Sequence, residues 1–586
     1  MRCRAVAATA VSVALLLAGC GSGQQESEDG QSPRPSVVAV DEGFYRAPDL
    51  PEPIAQTDLQ LPASNVDHEI ASARLQILSL DTDGELARLV MAWLPPEQGE
   101  PLGSIVLSSH QYRYESTPFV RLVGRETGEL IEPLRAESNN FSYDRRPDIQ
   151  QDDPAPYQAA NQGEQDELSR GVCICSLLGD AEEVPPERTE LIYLDFPAPE
   201  ADLVDVVPGE WAEPIRDVPV SSGEPFTRPD SASSWFFTHV SGQEDPPEHY
   251  GADARYAATY PVASTSESLS GIVTTIEGET QEVSLPADVL FDFGSAELSS
   301  TAQEVIDDVA TVLNEEASGE TVTVEGHTDN VGDEEFNLDL SEQRALAARE
   351  AIEDLLDDSI DLETVGYGLT RPLVPNSDVA GEDLPENRAR NRRVSFRYPV
   401  VVREPGTEIN LGDAGVQDLP EATQVAAAEG AVVSYVIDPP QGDTSEVQVR
   451  FDVLDAERDG ERVLMRFALA SADGGANHGT AFTGHPRRDG SQHFGHNPQG
   501  DGNSPGLANM SLIDVGAEQR YFPLSSGDRG CLCTEVAGTV EALPVEPSPM
   551  YVEFHLPEEL SGPVIVHLPD AGQFTLPDEF VDDLGG

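Results

Sequence analysis

The sequence predicts a multidomain α+β chain, with a central β-α-β-α-β-β module flanked by two related all-β sandwich domains. Three observations predict it. The chain has 586 residues, too many for one hydrophobic core and enough for roughly three or four domains. Both flanks carry short apolar runs broken by Gly, Pro and Asp turns. Between about residues 285 and 400, apolar positions spaced three and four apart alternate with short strands, which makes a sheet with helices on one face.

The first segment is a targeting signal, residues 1–19. Arg2 and Arg4 form a positive n-region, and Ala5 to Leu17 is apolar but too short for an ordinary membrane-spanning helix. It ends in Leu17, Ala18, Gly19 and Cys20. This resembles the lipobox of bacterial lipoproteins, and the resemblance implies cleavage before Cys20 and its lipidation. Two acyl chains suffice for stable anchoring. No later run approaches ~18 apolar residues, so the mature chain is expected not to span a membrane. Residues 20–62 are rich in Ser, Gln, Glu and Pro and read as a flexible tether.

Residues 63–220 read as a first β-sandwich. Leu75 to Leu80 alternates, Asp83-Gly84 turns, and Ala87 to Leu94 continues as a buried strand. Leu191 to Phe196 and Leu203 to Val207 follow. Residues 221–280 read as a Ser/Pro/Gly-rich, loop-rich connector, and 401–425 as a shorter linker. Residues 426–586 repeat the first sandwich. Arg462 to Phe467 matches Arg88 to Trp93, and both copies carry a Cys-x-Cys pair, Cys173/Cys175 and Cys531/Cys533, each twenty residues before a tyrosine, Tyr193 or Tyr551. Outside the cytoplasm paired thiols oxidise. Local disulfides, metal ligation and a bridge between the repeats all remain open for these pairs. On a straight strand, residues two apart sit near the upper limit for a disulfide.

Residues 281–400 hold the chemistry. Val289 to Phe293 reads as a strand, Ser299 or Ser300 as the cap of a helix reaching about Glu316, and Thr321 to Val324 as a strand. Ser341 reads as the cap of a second helix, with strands at Asp361 to Gly368 and from Asn391. Five motifs fall in order: Leu290 to Leu298, Gly326 to Gly332, Asn337 to Ala345, Gly366 to Pro372, and Asn387 to Val394. Together they resemble the OmpA C-terminal-like family, whose members bind peptidoglycan through its diaminopimelate stem residue.

The resemblance implies a ligand site. Diaminopimelate ends in a carbon bearing an ammonium and a carboxylate. Asp329 would take the ammonium. Arg344, fifteen residues later, would grip the carboxylate with a planar fork that lysine lacks. Phe293, Gly294 and Leu340 would supply backbone hydrogen bonds, Asn337 would shape the loop, and Arg392 or Arg393 would line the cleft. Phe336 stands where the family often has tyrosine, and Gly294 where it often has Asp or Asn.

Other chemistries find little support in the sequence. The formal net charge is −73, which repels phosphate, so nucleic acid is not expected as a partner. There is no nucleophile elbow, His-Glu-x-x-His or phosphate loop, so no catalytic residue, cofactor or metal is assigned and the chain is not expected to be an enzyme. His478, His485, His493 and His496 lie in a Gly-rich loop and read as solvated. The expected role is a lipid-anchored, extracytoplasmic envelope protein that holds membrane to peptidoglycan, in the outer membrane if the cell has two. The alternative is an adhesion, solute-binding or protein-binding lipoprotein whose sandwiches carry the specific work, with envelope proteins as their partners and the central module only retaining it at the wall.

Overall fold

The computed structural model describes residues 44–46, 49–61, 71–94, 120–137, 171–173, 188–209, 213–223, 255–256, 259–269, 271–292, 294–300, 302–373, 376–377, 383–400, 421–437, 448–472, 507, 510–526, 531–534, 547–568 and 572–584. The described chain is mostly β, in five sheets with few helices. The signal segment, Cys20, Phe293, Cys175 and the four loop histidines lie outside the described residues.

In the N-terminal half, strands Ala55–Leu61, Ala71–Thr82, Leu86–Leu94 and Arg188–Pro197 form an antiparallel sheet. Leu75, Ile77, Leu89 and Met91 on this sheet pack against Leu122, Val204 and Val206 of a second sheet. The C-terminal half is built alike. Phe451, Phe467 and Val552 of one sheet pack on Leu512, Val566 and Phe574 of another.

Two hairpins of the halves run alike. Hairpin Ala71–Thr82/Leu86–Leu94 turns at Asp83-Gly84, and hairpin Val449–Asp459/Arg462–Ser471 turns at Asp459-Gly460. Both glycines have positive φ, 97° and 59°, which a tight turn demands and glycine supplies cheaply. Both hairpins carry a bulge six residues before the turn glycine's aspartate, after Ile77 and after Val453. The turns therefore equate Leu86 with Arg462, and the match of Arg88 to Arg462 read from sequence is two residues out of register. A second hairpin pair repeats too, with Gly128 (φ 63°) in one copy and Glu518 (φ 55°) in the other.

The halves touch. Val123, Leu130 and Val207 of the first pack on Leu524 and Leu532 of the second. Beside them, buried Glu553 accepts from Arg216 at 3.1 Å, and Arg462 reaches both Glu553 and Asp205.

The connector is more ordered than its composition predicts. Strands Thr259–Pro261, Ala263–Ser268 and Val273–Glu277 lie within it. Thr259–Pro261 closes the N-terminal sheet and Ala263–Ser268 pairs with Gln519–Tyr521 of the C-terminal half, so one run of chain stitches both. Alternating Val273, Thr275 and Glu277 suits a half-buried strand, but the surrounding Ser and Gly mask that period. Val273–Glu277 then pairs with the module's first strand, making one ten-stranded sheet that runs from the module into the C-terminal half.

The module runs β1 (Thr280–Pro286), α1 (Ala287–Leu290), α2 (Ala302–Glu316), β2 (Thr321–His327), α3 (Glu334–Ile352), β3 (Asp361–Gly368), α4 (Pro385–Asn391) and β4 (Arg393–Pro399). Its strands lie in the order β3-β2-β4-β1. Apolar residues of β1, β2 and β4 meet Val305, Ile306 and Val309 of α2 and Ala345, Ala348 and Ile352 of α3.

Several local expectations change. Ala287–Leu290 is a helical turn, and Phe291 makes only an isolated bridge to Leu298. The second helix begins at Glu334, where the Asp333 side chain accepts from Phe336 N at 2.8 Å. Asp at the N-cap does what was expected of Ser341, which instead is fully buried in mid-helix. The order gains a short helix before the last strand, opened by Pro385, whose missing N–H costs nothing at a first turn. The Ser299 hydroxyl donates to Val289 O at 2.8 Å, which ties the start of α2 to the preceding turn.

Candidate functional site

A glycine pair sets the distance between helix and sheet. Gly326 of β2 and Gly366 of β3 are cross-strand partners. A Cβ on Gly326 would lie 2.1 Å from Ser341 O, and one on Gly366 would lie 2.6 Å from Glu342 N. Only hydrogen lets α3 approach this closely. Ser341 Oγ accepts from Gly368 N at 2.8 Å and donates to Leu338 O at 2.7 Å, pinning the helix to β3. Arg344 lies one turn further on, on the buried face.

Arg344 is 2% exposed. Its Nε donates to Ser295 O at 2.9 Å, and its guanidinium lies 5.4 Å from the centre of the Phe291 ring. Its Nη1 is buried without a hydrogen-bond partner. Burial pulls the guanidinium's pKa down. Asp288 and Asp329 oppose that pull, while neighbouring Arg392 reinforces it. This cation lacks a full set of acceptors, an expensive condition unless an anion completes it.

Asp329 sits in the turn after β2. Its Oδ1 accepts from Val331 N at 3.0 Å, an Asx turn that fixes the carboxylate. Its Oδ2 accepts from Arg392 Nη1 at 2.9 Å, with Arg388 Nη1 at 3.6 Å. Asn337 Nδ2 donates to Val331 O at 3.2 Å, so Asn337 holds this loop. Val331 and Phe336 stand exposed beside it.

Arg392 bridges two acids. Besides Asp329 it donates Nη2 to Asp288 Oδ2 at 2.6 Å and Nε to Asp288 Oδ1 at 3.2 Å. The Asp288 hydrogen bonds, more than those of Asp329, hold its pKa above the ordinary arginine value against burial. Asp288 was missed in the sequence because the strand expected there begins only at Val289. A short helical turn puts it where Arg392 arrives.

The structure separates the two closing arginines. Arg392 lies at Asp329, whereas Arg393 is buried on the other face of the sheet, near Glu282 and Glu325, with Nη1 donating to Arg371 O at 3.3 Å. Adjacent residues on a strand point to opposite faces, so Arg393 does not line the cleft. Gly294 is in the turn beside Ser295, and Leu340 is half-buried in α3. Asp329, Arg344, Asn337 and Arg392 come together. In the C-terminal half Cys531 and Cys533 are buried, their Cα atoms 5.2 Å apart. The isolated bridges of Cys531 to Ser525 and of Cys533 to Val552 flank a bent segment rather than a straight strand.

Residues 290–391 match the model of the OmpA family. Over 124 residues the chain is 30% identical to the outer-membrane lipoprotein YfiB of Pseudomonas aeruginosa, covering 21% of this chain and 70% of that protein. The chain belongs to the OmpA family. It is also 34% identical over 107 residues to the peptidoglycan-associated lipoprotein of the same species, covering 18% of this chain and 59% of that one. A crystal structure of the peptidoglycan-associated lipoprotein from Burkholderia pseudomallei is 31% identical and covers 19% of this chain and 87% of that one, with a TM-score of 0.16. Other curated relatives are spanned over 13%, 30% and 55% of their own lengths. Membership therefore rests on the module and says nothing of the flanking halves.

Proposed function

We propose that this chain is a cell-envelope protein that binds diaminopimelate-type peptidoglycan non-covalently through its OmpA-family module. The observation that carries the reading is the buried Arg344 guanidinium with an unpartnered Nη1, electrostatically coupled to Asp329. A zwitterionic carbon fits this pair. The ammonium adds to the Asp329 carboxylate, and the carboxylate completes Arg344. Arg392 balances Asp329 and Asp288 until the ligand arrives. A stem with lysine in place of diaminopimelate brings no terminal carboxylate and leaves Arg344 incomplete.

The pairing also suits binding without reaction, since a fixed anion and a fixed cation orient a ligand but activate no nucleophile. Lipidation at Cys20 would hold the chain at a membrane while residues 20–62 give it reach. The two flanks are read as copies of one β-sandwich, and Cys531–Cys533 as a disulfide inside the second. The sheet that runs from the module into the second flank, together with the apolar contact between the flanks, favours a rigid head over beads on a string. Partners for the flanks would be other envelope proteins.

The test is calorimetric titration of the whole soluble chain, from residue 21 onward, with a diaminopimelate-containing stem tripeptide and its lysine analogue. Saturable heat with the first and none with the second is expected. Equal binding of both, or of neither, overturns the reading.

A further inference from the structure

The sheet face turned away from α2 and α3 carries a polar cluster that the cleft does not use. Alternation puts Val283, Val324 and Val394 under the helices and Glu282, Ser284, Glu325, His327 and Ser395 on the other side. Pairing aligns them, because Ser284 and Glu325 both sit opposite Ser395 of β4. One ligand atom from each of Glu282, Glu325 and His327 lies within 4.8 Å of the others.

His327 is the informative member. It is 1% exposed, yet neither ring nitrogen has a hydrogen-bond partner. Nε2 lies 3.6 Å from Glu325 Oε2, in reach of the carboxylate but beyond a hydrogen bond. The ring is held by stacking on Tyr367, centroids 5.4 Å apart. A buried imidazole aimed at two carboxylates, and bonded to neither, calls for a partner that none of the three supplies.

We propose that Glu282, Glu325 and His327 form a binding site for a divalent metal ion, with zinc as the probe. Imidazole with carboxylates is a donor set for zinc and its first-row neighbours, and three protein ligands leave a position for water. The Glu282 carboxylate is already oriented. Ser284 Oγ donates to Glu282 Oε1 at 3.0 Å and lies 2.6 Å from Ser395 Oγ, the kind of outer support that fixes a ligand. Arg393 and Arg397 face the same carboxylates, Arg397 Nη1 at 3.4 Å from Glu282 Oε2. They balance the acids without the ion. The ion would clip β1 to β2 across β4.

The experiment uses the whole soluble chain, stripped with chelator and titrated with zinc by calorimetry against a competing chelator dye. Wild type should take up one tightly held equivalent that Glu282→Gln and His327→Ala both weaken by at least about 10-fold. Glu282 is half-exposed, so its variant keeps the proposal testable if His327→Ala unfolds, which circular dichroism reports. Asp58→Asn, on the surface of the N-terminal half, controls for acidic background and should bind as wild type. X-ray absorption should show nitrogen and oxygen ligands without sulfur. No stoichiometric uptake, or uptake unchanged in Glu282→Gln, means an ionic cluster only and overturns the proposal.

Discussion

Replacing Arg344 tests the charge logic of the cleft quantitatively. Its Nε is spent on Ser295 O at 2.9 Å, and Nη1 is the atom left for a ligand. With the carboxylate bound, the pair is a buried, hydrogen-bonded ion pair. Truncating one partner of such a pair costs roughly 2–5 kcal/mol, or about 30-fold to 5,000-fold in Kd. Arg344→Lys keeps a charge but loses the fork and the Ser295 bond. A charge-assisted hydrogen bond is worth about 1.5–3 kcal/mol, so lysine should weaken binding about 10-fold to 150-fold. The assay is titration calorimetry with the diaminopimelate tripeptide, with circular dichroism to confirm the fold. Binding by Arg344→Ala within about twofold of wild type would refute the reasoning, because the guanidinium would then contribute nothing.

Three further outcomes follow from the packing. Gly326→Ala puts a Cβ 2.1 Å from the Ser341 carbonyl oxygen, a backbone atom that cannot step aside; thermal unfolding should show a loss of about 3 kcal/mol or more, and an unchanged Tm would contradict the close approach. Glu553→Ala takes the nearer acid from Arg216 and leaves Arg462 with Asp205 alone; removing one partner of a buried pair costs up to about 3–5 kcal/mol, and denaturant unfolding should shift toward lower stability or split into separate transitions. The Asp83 carboxylate accepts from Leu86 N and Glu85 N, which hold its pKa below 3.8. Its depressed value means the contribution is present above 3.8 and lost as pH falls through the folded value. The Tm difference between wild type and Asp83→Ala should therefore be larger at pH 6 than at about pH 2–3, and a pH-independent difference would speak against the turn hydrogen bonds.

The site was legible where chemistry is tied to local motif. Asp329 and Arg344 were singled out by the resemblance of the motifs around them to the OmpA-like family, and the fold couples the two electrostatically. Asn337 likewise holds its loop. Asp288 was hidden because it lies just before the strand expected at Val289 to Phe293, and the turn Ala287–Leu290 is too short to show a helical period. Arg393 was misplaced because a sequence of adjacent arginines does not say where the strand begins, and that choice decides which one faces the cleft. The same parity puts Glu282, Glu325 and His327 on one face, although they come from two strands that are not sequence neighbours. The likeness of the halves was first suggested by the Cys-x-Cys spacing, but the register of their hairpins needed the turns, since Arg88 and Arg462 match in type and not in position. The connector strands escaped notice because Ser and Thr satisfy a half-buried pleat without an apolar stripe.

The most direct measurement of the central claim is co-sedimentation with isolated diaminopimelate-type sacculi. The whole soluble chain is the right reagent, because the sheet pairs β1 with Val273–Glu277, and a fragment cut at 281 would expose that edge. Wild type should pellet with the sacculi and be released by excess diaminopimelate tripeptide, while Asp329→Ala and Arg344→Ala stay in solution. Wild type left in the supernatant, or both variants pelleting as wild type does, contradicts wall binding through this cleft.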